Sequence, residues 1–149
     1  MATLGLTACQ TTKSYFAGAR IVTKGNPVDE VQNEVIDAFV AEGFNLASDM
    51  GSRMVFEKAG SRNDEWMYGG WGKGKHTQQR AVVTVEMGDE EGVVETRCKA
   101  QIVRDYGGMM GEEKGVLWAS GRHRFQAILD DAKKELRESV RLRREREAR

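Results

Sequence analysis

The chain is poor in the residues that staple or interrupt small folds. Its 149 residues include one proline, two cysteines and two histidines. Two cysteines cannot build a disulfide framework or a four-thiolate metal site. Neither His76 nor His123 has a His, Cys, Asp or Glu partner at metal-ligand spacing. No run approaches the ~18 apolar residues that a membrane-spanning helix requires. Neither sign of charge dominates, with 23 basic and 23 acidic residues. That balance excludes a uniformly basic nucleic-acid binder and an acidic disordered chain. What is present is 40% hydrophobic residues, enough for one core, and the length fits one domain better than two.

Periodicity supplies the elements. Residues 15–24 alternate, with Ala17, Ala19 and Ile21 on one side and Arg20 and Lys24 on the other, which predicts a half-buried strand. Asn26 and Pro27 then read as the N-cap and first position of a helix near 27–42, with Asp29 and Glu30 at its positive end. Val28, Val31, Val35 and Phe39 form its apolar stripe, widened by Ile36 and Val40, and Gly43 stops it. Residues 44–48 and 53–59 read as two short strands or one bulged strand. Ala81, Val83, Val85 and Met87 share one strand face. In 93–104, Val94, Thr96, Cys98, Ala100 and Ile102 alternate with Glu95, Arg97, Lys99 and Gln101, so one sheet face is dry and the other wet. A last helix near 120–142 carries Phe125, Ile128, Leu129, Ala132 and Leu136 as one stripe.

The fold class expected is α+β: a two-layer sandwich in the order β-α-β-β-β-α, its antiparallel sheet covered on one face by both helices. The expected core comprises Val31, Val35, Phe39, Val83, Val85, Cys98, Ile102, Phe125, Ile128, Leu129 and Leu136. Residues 120–149 hold ten Lys or Arg against six Asp or Glu. The acids are interleaved and no aromatic platform accompanies them, so 143–149 reads as a basic, solvated tail that continues the last helix as a frayed end.

Two irregular stretches, 60–79 and 105–119, should leave the sheet together if the strands at 53–59, 81–87 and 93–104 are consecutive and antiparallel. They carry all three tryptophans, and a candidate binding edge follows from Trp66, Tyr68, Trp71, His76, Met109 and Trp118. The competing reading is that these side chains cap the open end of the core. Gly69, Gly74, Lys75 and His76 approach a phosphate-binding loop. However, His76 stands where a hydroxyl would hold magnesium, and a strand follows instead of a helix. No catalytic set, metal site or cofactor site is legible. An enzyme would have to use His76 with a loop acid such as Asp64 or Glu65.

Leu6-Thr7-Ala8-Cys9 resembles the bacterial lipobox, an aliphatic residue and two small ones before cysteine. The resemblance implies that Cys9 is acylated, that residues 1–8 are the remnant of a signal peptide, and that 9–14 form a lipidated tether to a domain at 15–142. No basic residue precedes Cys9, so a basic and apolar export segment is expected upstream of Met1 or has been trimmed. Gln10, rather than Asp, implies the outer membrane by analogy with enteric bacteria. The element order, with 41–51 leading into a strand, resembles small helix-grip-like domains of bacterial envelope lipoproteins. Together these imply a periplasm-facing, non-catalytic binding or scaffolding module that engages envelope proteins and no nucleic acid. The alternatives are a small envelope enzyme or ligand-binding protein built on the two loops, and a soluble cytosolic α/β domain.

Overall fold

A computed structural model describes residues 18–59, 77–104, 113–116 and 119–149. The elements are β1 (Ala19–Lys24), α1 (Val28–Ala41), β2 (Asn45–Asp49), β3 (Arg53–Ala59), β4 (Thr77–Met87), β5 (Val93–Arg104), β6 (Glu113–Val116) and α2 (Ala119–Glu147). They form one antiparallel sheet in the order β1-β5-β4-β3-β2. β1 pairs with β5 at 93–98 and β6 pairs with it at 101–104, while β4 occupies the whole opposite edge of β5. β6 therefore extends the β1 edge. The α+β class and the two-helix layer are as the periodicity predicts.

Alternation explains which face is dry. Ile21 of β1, Met54 and Phe56 of β3, Ala81, Val83 and Val85 of β4, and Val94, Cys98 and Ile102 of β5 are all buried. They meet Val31, Val35 and Phe39 from α1 and Phe125, Ile128, Leu129, Ala132 and Leu136 from α2. Every residue of the expected core is in it. Phe39 is its centre: its ring stacks on Phe56 at 4.4 Å and meets Phe44 edge-on at 5.4 Å, with Phe125 at 6.2 Å.

The end of α1 is fixed by backbone geometry. Gly43 takes φ +88°, its N–H donates to Val40 O and the Phe44 N–H donates to Phe39 O. This paired closure brings Phe44 back onto Phe39. Lys58 Nζ then donates to Glu42 O at 2.7 Å from the neighbouring strand.

Several expectations need correction. Val40 is 52% exposed because it lies on the far side of α1, and Met87 is 71% exposed because it lies at the last position of β4. The 105–119 connection is interrupted by β6, whose Glu-Lys-Gly-Val sequence has no alternation to announce it. The solvated tail continues as helix, as its lack of a core-facing pattern implies: α2 runs to Glu147, with salt bridges from Arg141 to Glu138 and Glu145 along the final stretch.

Asn26 does not cap α1 through its side chain. Pro27 is the cap residue, with no side-chain cap bond. Instead the buried Asn26 amide donates to Leu136 O (3.1 Å), Ser139 Oγ (3.3 Å) and Glu30 Oε2 (3.3 Å). Ser139 Oγ donates to Glu30 Oε1 at 2.8 Å, and Arg143 pairs with Glu30 at 3.1 Å. Burial alone would raise the Glu30 pKa, but the bonds from Ser139 and Asn26 and the Arg143 charge together hold it below the usual value. Such a lowered carboxylate contributes stability above its unfolded pKa, and that contribution is lost as pH falls through the folded value. Asn26→Ala is expected to destabilise the fold by about 1–3 kcal/mol, because it removes the buried amide that Glu30, Leu136 O and Ser139 share and so one of the ties between α1 and α2. Urea unfolding at neutral pH measures this, and a change under about half a kcal/mol would mean the cluster is solvated.

Candidate functional site

The register establishes where the two aromatic-bearing segments leave the sheet. Ala59 lies opposite Gln78, Thr77 opposite Arg104, and Arg104 opposite Glu113. With strands about 4.8 Å apart, the ends bordering 60–76 and 105–112 stand within roughly 15 Å of one another. The frame for a shared loop edge is therefore in place. The residues expected to form that edge, Trp66, Tyr68, Trp71, His76, Met109 and Trp118, lie outside the described residues, as do Asp64, Glu65 and Cys9.

The side of the sheet opposite the helices presents an ordered array of charge. Cross-strand pairing places Arg20, Arg97, Thr84 and Arg53 in one row, and Val22, Glu95 and Glu86 in the next. On the other side of the arginine row stand Lys99, Val82 and Val55, and beyond them Gln101, Arg80 and Glu57. Like charges directly opposite each other are unfavourable. Here Glu95 sits beside the pair Arg20 and Arg97 and bonds both, at 2.9 Å in the case of Arg20. Desolvation would raise the Glu95 pKa, but the hydrogen bonds and charges of Arg97 and Arg20 outweigh it and hold it low. Arg80 pairs with Glu57 at 3.0 Å. The result is a face of mixed charge, five cations among three carboxylates, interleaved with valines. The alternation of Glu95, Arg97, Lys99 and Gln101 already marked it in the sequence; the arginine row appears only once the strands are registered.

The two sheet edges differ. On β1, Arg20 N–H donates to Gln126 Oε1 and Gln126 Nε2 donates to Arg20 O, both at 2.9 Å. Gln126 also bonds Asp130 at 3.0 Å. One helix side chain thus supplies the hydrogen bonds that a further strand would make, closing this part of the edge. β2, at the other side, is five residues long and bulged between Leu46 and Ser48, which shortens any template for strand addition.

Cys98 is fully buried, and burial pushes its thiol up to about 12, so it is a small core residue and no nucleophile at neutral pH. His123 is exposed on α2. Among the described residues no group of three His, Cys, Asp or Glu could hold a metal ion, and no described helix is long and apolar enough to cross a membrane. Comparison with protein-family models finds no match, and comparison with curated proteins finds none.

Proposed function

We propose that the chain is a lipid-anchored lipoprotein of the bacterial envelope, facing the periplasm from the outer membrane and acting as a non-catalytic binding or scaffolding module. Leu6-Thr7-Ala8-Cys9 carries this reading, since Cys9 stands where a lipobox places its acylated thiol. Residues 10–14 are then a tether. The α+β head beyond it offers a loop edge framed by Ala59, Thr77, Arg104 and Glu113, next to a charged sheet face. A sandwich that carries aromatic residues in the loops at one edge is a common arrangement for capturing a protein partner.

The test is affinity capture from envelope extract. Wild type is expected to recover a defined partner, Trp66→Ala/Trp71→Ala to lose most of it, and His76→Ala to retain it. Equal recovery by wild type and the double variant would move the contact away from the loop edge. Turnover of a ligand that His76→Ala abolishes would replace a scaffold with an enzyme.

A further inference from the structure

α2 runs beside β1 and then past its end. Gln126 bonds Arg20 near the start of β1, whereas Leu136 and Arg143 bond the Asn26 amide and Gly25 O just after Lys24. At about 1.5 Å per residue, α2 reaches roughly 44 Å, while β1 covers about 20 Å. Its last turns therefore overhang the sheet. Gln126, Lys133, Arg137 and Arg144 are spaced by seven, four and seven residues, which puts them on one line along the β1 side of α2. The opposite flank, toward α1, is mainly acidic, with Glu34 and Asp37 facing Asp131 and Glu135 across a shallow groove that Lys134 also lines.

Where α2 passes Lys24, a cleft of about 470 Å³ opens between Lys24, Arg137, Val140, Arg141, Arg144 and Ala148, with Glu145 at its side. Arg141 is occupied by Glu138 and Glu145. Arg143, adjacent in sequence, is committed to Glu30 and Gly25 O. Lys24, Arg137 and Arg144 have no carboxylate partner among the described residues. Three uncompensated cations over a floor of Val140 and Ala148 form a site for a phosphate group attached to something apolar.

We infer that this cleft binds the headgroups of anionic phospholipids, giving the head a second attachment to the membrane. The setting rests on the anchoring proposed above. Cys9 is followed by eight residues before Gly18, nine steps with a reach of at most about 32 Å. β1 begins just beyond Gly18 and Lys24 ends it, so the point where the tether joins and the cleft lie about 20 Å apart along the β1 edge, a span the tether's reach covers. A long nucleic acid fits less well: no aromatic lines the cleft for base stacking, and Glu145 and the acidic α1 flank repel an extended polyanion.

The test uses the full chain carrying Cys9→Ser, which has no lipid of its own. Vesicles of phosphatidylcholine with and without equimolar phosphatidylglycerol are the probe. Partition onto the anionic vesicles is expected to fall about fivefold per cation removed, hence roughly a hundredfold for Lys24→Gln/Arg137→Gln/Arg144→Gln. The control Arg124→Gln/Lys134→Gln/Arg146→Gln removes equal charge from exposed positions of α2 outside the cleft and is expected to change partition only a few-fold. An unchanged unfolding midpoint in both confirms intact heads. Equal loss in both variants, or no preference for the anionic vesicles, would overturn the inference. So would displacement by inorganic phosphate at constant ionic strength, or tight binding of a single-stranded oligonucleotide in place of vesicles. Because this chain lacks the anchor, its failure beside an acylated wild-type Cys9 counts against the cleft alone. Binding beside an unacylated wild type counts against the anchor alone.

Discussion

Replacing Phe39 with alanine is expected to lower stability by about 3–5 kcal/mol, a large part of the roughly 5–15 kcal/mol available to a domain of this size. Phe39 is fully buried and touches three other phenylalanine rings, drawn from the α1 terminus, β3 and α2. Its carbonyl also accepts the Phe44 N–H in the turn that ends α1. The space left by the ring cannot close easily. Phe56 is held in the ladder with β4, opposite Ala81, and α1 is tied to α2 through the Asn26 cluster. Val40→Ala, one residue on at an exposed position, should cost under about half a kcal/mol. Denaturant midpoints for the pair decide the matter. Equal small losses would mean that the stripe of α1 does not seat on the sheet.

The second large effect concerns Cys9. In the anchored reading, Cys9→Ser is expected to move nearly all of the protein from the membrane fraction into the soluble one. Each buried methylene contributes about 0.8 kcal/mol to membrane attachment, so losing the acyl chains removes most of the attachment free energy. What remains would be the electrostatic contact of Lys24, Arg137 and Arg144, and raised salt should release it, since such contacts are screened within about 8 Å at physiological ionic strength. Fractionation with and without salt measures both components. Wild type that is itself soluble would contradict the anchor.

Elements with strong periodicity were legible residue by residue. Phe125 to Leu136 reads as one helical stripe because a surface helix can hide only one face, and Val94 to Ile102 reads as a strand because the helices cover only one side of the sheet. Reading failed where a side chain has two uses. Asn26 before Pro27 satisfies local capping rules, yet its amide is spent on α2, more than a hundred residues away. No local rule anticipates that partner. β6 owes its existence to the free edge of β5 beyond β1, and Met87 owes its exposure to its place at the end of β4, so neither is encoded in its own neighbours.

The candidate sites divide in the same way. That the segments after β3 and β5 begin together follows from antiparallel pairing alone, and the register agrees. The basic side of α2 could not be read from the charge count of 120–149, where ten cations and six acids look evenly mixed. The arrangement appears only once Gln126 fixes which side of α2 faces β1, with Lys133, Arg137 and Arg144 on that side beside Asp130, and Asp131, Lys134 and Glu135 toward α1.

The central claim is that Cys9 becomes the acylated N-terminus of an envelope protein. The intact mass of the wild-type protein, expressed from its own gene in its native cell and extracted in detergent, tests it most directly. The expected mass is that of a chain that begins at Cys9 and carries a diacylglyceryl group on the thiol. A mass that retains residues 1–8, with an unmodified Cys9, would contradict it.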